Sequence, residues 1–212
     1  MHYKNFVSMD IGLIGSGTVG RAVALALADA GHTVYLGVRN ELCYSGRHAL
    51  AGYPNIIVTS VEDAGAVADI IIVATPASAV PEVAYYLGDV AHKVIIDLTS
   101  GAMNGPVKYA HASEAITRIT RSEHVVKCFN TTSYLSLENP YLAGEVLETY
   151  LAGDSKKAKA AATSLCRDLG IDASFDLGGR ENVPVLERLM AYWIQLDEPT
   201  RKVAPLLEKV AR

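Results

Sequence analysis

Apolar residues fall along this chain in short continuous runs separated by stretches of helical length. The runs Asp10 to Ile14, Thr33 to Val38, Ile56 to Thr59, Asp69 to Ala74, Val94 to Asp97 and Val125 to Phe129 are strand-sized. Most are continuous rather than alternating, as strands covered on both faces require. Between them the spacing becomes helical, as in Val19 to Ala30, closed by Gly31, and Ser78 to Leu87, preceded by a proline. A β-α-β-α order with buried strands predicts an α/β fold built on a doubly wound, mostly parallel sheet.

After Asn130 the pattern changes. A short strand, Leu147 to Leu151, leads through Gly153-Asp154-Ser155 into a helix from Lys156 to Leu169, which Asp154 or Ser155 can cap. Lys156, Lys157 and Lys159 read as a solvated face of that helix. A strand near Ile171 to Phe175 and two helices, Asn182 to Gln195 and Pro199 to Val210, complete the chain. The first of these helices presents Leu186, Leu189, Met190, Trp193 and Ile194, a stripe too broad to leave in water; core or subunit interface is the expectation.

Composition narrows the function classes. The chain has 212 residues, half of them hydrophobic and 20% charged, enough for one globular core with at most a small annex. Its net charge is −4, from 23 acidic and 19 basic residues, with no basic patch of the kind that tracks a phosphate backbone, so nucleic acid is not an expected partner. Cys43, Cys128 and Cys166 are odd in number, widely spaced and without a CxxC pair. Reduced thiols, two of them packed as small hydrophobes, and no metal site are expected. The N-terminus lacks the charge and apolar run of a signal peptide, and no run approaches the ~18 residues of a membrane span. A cytoplasmic location follows as an expectation, with Met9 a candidate start.

The chemistry enters through Gly15-Ser16-Gly17-Thr18-Val19-Gly20. A GxGxxG spacing alone is common, but this one follows the strand "DIGLI", opens the helix "VGRAVALALADAG" and returns through "HTVYLGV". Strand, turn and helix in one βαβ unit form the context a dinucleotide-binding turn requires. Gly15 would permit the tight turn, Gly17 the approach of a pyrophosphate, and Gly20 close packing of helix on strand. Ser16, Thr18 and Val19 would supply backbone N–H groups to the phosphates at the helix N-terminus. The end of the second strand bears on which dinucleotide: an NAD site carries an acid there, whereas this chain has Val38 followed by Arg39. Arg39 is either a solvated loop charge or the partner of a 2′-phosphate, and the missing acid favours NADP. Ala74-Thr75-Pro76 and Phe129-Asn130-Thr131-Thr132 follow later strands at the same end of the sheet. Ala74, Thr75, Pro76, Asn130 and Thr131 are therefore candidate walls for the nicotinamide and its ribose, or ordinary turns.

The strings "IGLIGSGTVGRAVALALADAGHTVYLGVRN", "DIIIVATP", "VKCFNTTS", "YLAGDSKKAKAAATSLCRDLGID" and "FDLGG" followed by "VLERLMAYWIQL" resemble the NADPH-dependent coenzyme F-420 oxidoreductases and their relatives. The resemblance runs from about Asp10 to Leu196. It implies a Rossmann-type NADP-binding domain over residues 9–153 and a small C-terminal α/β portion over 154–212, completing an acceptor cleft or a dimer interface. It implies hydride transfer between NADPH and a deazaflavin or flavin-like acceptor stacked face to face, often in a homodimer. Ring positioning supplies most of what a protein contributes to such a reaction, so no catalytic residue is assigned. Departures cluster on the acceptor side. Members often carry Ser or Thr at the position of Val38, and many read D-x-T-N-P where this chain has Asp97-Leu98-Thr99-Ser100-Gly101. Gly178-Gly179-Arg180 and Pro184 replace a Gly-Pro-Leu and later Arg. Two further readings are a reductase of a small carbonyl or imine, and a non-catalytic NADP-binding redox sensor. Neither Tyr134 nor His124 falls in a recognised proton-donor motif, so both are expected to be structural, and Tyr85-Tyr86 reads as helix surface.

Overall fold

The computed structural model describes residues 8–101, 104–129, 147–171 and 173–195. Its main sheet has six strands, β1 (Asp10–Ile14), β2 (Thr33–Val38), β3 (Ile56–Ser60), β4 (Ile70–Val73), β5 (Val94–Asp97) and β6 (Val125–Lys127). They lie in the order β3-β2-β1-β4-β5-β6 and every pairing is parallel. Continuous burial explains the continuous apolar runs: all four residues of β5 are buried, as are four of the five in β1. The order reverses between β1 and β4, which leaves a crevice beyond their carboxyl ends.

Two apolar clusters cover the two faces. On one, α1 (Thr18–Asp29) contributes Val23 and Leu27 to a cluster with Ile11, Leu13 and Leu36. On the other, α3 (Val80–Tyr86) and α4 (Ala112–Thr120) bring Val80 and Ile116 against Ile14, Ile71 and Ile95. The short helix α2 (Val61–Val67) starts at Ser60, whose Oγ accepts from Asp63 N–H at 3.0 Å. A 3₁₀ turn, Ala77–Ala79, precedes α3.

β6 is shorter than its apolar run because Phe129 adopts a left-handed backbone, φ 65°, which no strand continues. The C-terminal portion forms a second sheet of two parallel strands, β7 (Glu148–Leu151) and β8 (Ala173–Asp176), linked by α5 (Lys156–Asp168). An antiparallel bridge between Lys127 and Ala152 joins it to β6. Ser155, not Asp154, caps α5, accepting from Ala158 N–H at 3.1 Å. Asp154 instead pairs with Arg180, through the backbone N–H at 2.8 Å and the guanidinium. Lys159 departs from the solvated face expected of it: its ammonium donates to Asp176 Oδ1 at 2.6 Å and Gly178 O at 2.8 Å, tying α5 to the end of β8. Cys128 and Cys166 are free and buried in the core, and Cys43 is free and exposed. Helix α6 (Val183–Gln195) buries Val183 and Leu186 against Ala152, with Tyr150 and Leu177 alongside, and leaves Leu189 and Met190 half-buried. The segment Pro199 to Val210 lies outside the described residues.

Candidate functional site

The glycine turn joins β1 to α1 with each glycine in a distinct role. Gly15 has φ +119°, a conformation that L side chains rarely adopt, and a Cβ there would lie 2.5 Å from the Ala74 carbonyl oxygen. A Cβ on Gly20 would run into the Gly15 carbonyl oxygen, so the helix can approach the turn only at a glycine. Gly17 differs, since nothing lies within 4 Å of the place its Cβ would occupy. Gly17 is also the N-cap of α1, which has no side-chain cap and no acidic residue in its first turn. The first-turn N–H groups around Thr18, Val19 and Gly20 are left for an anion.

This turn opens on a cleft of ≈ 580 Å³ that brings together Gly15, Ser16, Gly17, Val38, Arg39, Ala74, Thr75 and Pro76. Thr18, Val19 and Gly20 stand behind it as the first turn of α1. Ala74 N–H donates to Ile14 O at 2.8 Å, which holds the turn after β4 beside the glycine turn. Thr75 Oγ1 is buried in this wall with no hydrogen-bond partner among the described residues. Buried hydroxyls are normally satisfied, which makes this orphan a candidate contact point for a ligand. Val38 is buried in the core and offers no acid. Arg39 is exposed at the mouth and makes no hydrogen bond or ion pair among the described residues, while Asn40 Oδ1 fixes the backbone beyond it by accepting from Leu42 N–H at 3.0 Å and Cys43 N–H at 3.2 Å. Asn130 and Thr131 lie outside the described residues.

The opposite wall is formed by Ser60, Val61 and Glu62 at the start of α2 and by Ala79, Glu82, Val83 and Tyr86 around α3. None of these is marked by a motif; only the sheet order brings two short helices to one crevice. Tyr86 is half exposed, at 54%, because it borders this opening.

A second group missed by motif reasoning sits at the carboxyl ends of β5 and β6. Lys127 is fully buried and donates to Asp97 Oδ2 at 3.2 Å and Thr99 O at 2.8 Å, with Glu187 Oε1 of α6 2.7 Å away. Asp97 also accepts from Ser113 Oγ at 2.5 Å and from Thr99 N–H and Oγ1 at 2.9 and 2.7 Å. Burial pushes the Asp97 carboxyl up, but the Lys127 charge and these donors outweigh it and hold the group below its ordinary range. The signal lay in a charge within each of two apolar strands, "VIID" and "VVK".

A larger cavity of ≈ 880 Å³ runs between α4, β6 and the Gly153–Ser155 turn. Its arginines are already engaged, Arg118 with Glu114 at 2.8 Å and Arg180 with Asp154. His124, one of its walls, is hydrogen-bonded through Nδ1 to Ser155 Oγ at 3.0 Å, in keeping with a structural part. Among the described residues, the glycine cleft offers unpaired donors in the first-turn N–H groups of α1 and the Arg39 guanidinium.

Residues 10–101 match the family described as NADP oxidoreductase coenzyme F420-dependent. That match spans less than half of the chain. The match covers every described residue of the cleft, from Ile14 to Tyr86, and also Asp97. An Arthrobacter protein described as a candidate F420-dependent NADP reductase has the same fold, with TM-score 0.80 and 29% identity over 89% of this chain and 93% of that one. An imine reductase from Pseudomonas shares the fold at TM-score 0.68 and 16% identity, covering 97% of this chain and 74% of that one. Metalloreductase STEAP3 of Rattus norvegicus is 24% identical over 189 residues, 86% of this chain. The chain spans 37% of that protein's length. Among the described residues no helix is long and apolar enough to cross a membrane, and no His, Cys, Asp and Glu group is placed to hold a metal.

Proposed function

We propose that this protein is an NADP(H)-dependent oxidoreductase that passes a hydride between NADPH and a deazaflavin (coenzyme F-420) or flavin-like acceptor. One observation carries the cofactor half: a capless glycine turn shares its cleft with a buried Val38 and an Arg39 that is unpaired among the described residues. Gly17 and the first turn of α1 would bind the pyrophosphate, Arg39 the 2′-phosphate, and Thr75, Pro76, Asn130 and Thr131 the nicotinamide side. The bound nicotinamide supplies the hydride. Thr75 Oγ1 orients, Ala74 and Pro76 close the floor against water, and the absence of an acid at Val38 avoids repelling a phosphate. The family description, which names coenzyme F420, supports the deazaflavin acceptor. Residues 154–212 complete the acceptor cleft or a dimer interface in this reading, and the protein works as a cytoplasmic homodimer.

Stopped-flow mixing of the purified protein with NADPH or NADH, against 5-deazariboflavin, FMN and a cyclic imine, tests it. NADPH oxidation that outpaces NADH with an isoalloxazine-type acceptor is expected. Reduction of the imine alone would move the protein to the carbonyl or imine class. Tight NADPH binding with no acceptor reduced would make it a sensor.

A further inference from the structure

The turn that follows β5 is fastened from three sides. Thr99 N–H and Oγ1 donate to Asp97 within the turn, and Lys127 of β6 donates to Thr99 O. From α6, Glu187 Oε2 accepts from Gly101 N–H at 2.7 Å, while Oε1 lies 2.7 Å from Lys127 Nζ. The Lys127 charge is already balanced by Asp97, so Glu187 is a second carboxylate where charge neutrality needs one. Neutralisation therefore does not account for it.

What Glu187 adds is a connection across 86 residues of sequence. The buried apolar side chains of α6, Val183 and Leu186, pack on Ala152, Tyr150 and Leu177, which belong to the second sheet or adjoin it. That packing fixes α6 to the second sheet. Glu187 sets α6 against the carboxyl edge of the main sheet. There the turn after β5 runs beside the turn that carries Thr75 and Pro76, with Leu98 N–H donating to Val73 O at 3.0 Å. The clamp also needs an N–H at position 101, which glycine has and proline lacks.

We propose that Glu187 is a positioning residue: by holding Gly101 and Lys127 at once it sets where α6 stands, and with it the wall on which the hydride acceptor stacks. The proposal rests on the oxidoreductase reading above.

Glu187→Ala, Glu187→Gln and Gly101→Pro test it, with hydrogen exchange of α6, NADPH affinity and acceptor kinetics (5-deazariboflavin and FMN) measured on each. Glu187→Ala should speed exchange across Val183–Gln195 by about tenfold or more and leave the α1 region unchanged. It should raise the acceptor KM about tenfold with kcat within about threefold, and leave NADPH Kd within about twofold. Gln has one acceptor oxygen and turns its NH2 donor towards either the Gly101 N–H or the Lys127 ammonium, so it keeps at most one of the two contacts and should fall between wild type and the alanine variant. Gly101→Pro, where it folds, should reproduce the alanine variant. Unchanged exchange in α6, faster exchange with an unchanged acceptor KM, or a parallel loss of NADPH affinity would each overturn the proposal. A wild type that binds NADPH but reduces neither acceptor would defeat the functional reading and the acceptor role with it, while the exchange data still show whether the clamp exists.

Discussion

Gly17 and Gly20 stand three residues apart and separate binding from folding. The Cβ of Gly17→Ala would enter open space, so the fold should accept it, yet that space is where the turn would meet a pyrophosphate. Gly17→Ala is expected to keep the wild-type thermal midpoint and lose NADPH affinity. Gly20→Ala forces a Cβ against the Gly15 carbonyl, an overpacking worth about 1–3 kcal/mol, and should lower both stability and affinity. Calorimetric titration and thermal melts of the two variants distinguish these outcomes. Arg39 has no partner to lose among the described residues, so removing it costs the fold little. Arg39→Ala should weaken NADPH binding by ~1.5–3 kcal/mol, the scale of a charged hydrogen bond, and NADH binding hardly at all. Equal NADPH affinity in the variant would refute the 2′-phosphate role.

Helix α4 carries a titratable cap. His111 Nδ1 accepts from Glu114 N–H at 3.2 Å, which requires an unprotonated nitrogen. Burial first, then the nearby Lys127 charge, hold the His111 pKa below its ordinary value, against the pull of Asp97, Glu114 and Glu187. A histidine depressed in the folded state stabilises fully above its unfolded pKa, about 6.5, and loses that contribution as pH falls from there through the folded value. The melting temperature should drop as pH falls below about 6.5, with loss of the cap worth ~1 kcal/mol. His111→Asn, which caps without titrating, should flatten that part of the profile; an identical slope in the variant would assign it elsewhere, with His32, also depressed by burial, the next to substitute.

At the scale of the whole molecule, Lys127 is the point where the main sheet, the second sheet and α6 meet. Its backbone exchanges hydrogen bonds with Ala152 at 2.9 and 3.1 Å, and its ammonium faces Asp97, Thr99 O and Glu187. Lys127→Met would leave two carboxylates near one another without a counter-charge, Asp97 fully buried. A cost of about 3–5 kcal/mol is expected, read as a lower urea midpoint. Acid unfolding moves as well. The depressed Asp97 carboxyl contributes stability above its unfolded pKa, about 3.9, that is lost as pH falls through the folded value. Without Lys127 that contribution shrinks and acid unfolding should begin at a higher pH.

Much of this arrangement is legible along the chain. Order and type of the elements follow from runs of apolar residues, because a strand covered on both faces leaves no polar alternation, and the phosphate turn is readable because its geometry is local to one βαβ unit. The two-strand pairing of β7 with β8 is not: short runs specify a strand but not its neighbour. Nor is the wall made by Ser60, Glu62 and Tyr86, which depends on sheet order. The sequence by itself determined the strand–turn–helix that makes a dinucleotide cleft and the missing acid at Val38. Only the tertiary structure decided that Asp97, Lys127 and Glu187 meet, because a buried charge finds its partners through packing of distant elements, which no local period records.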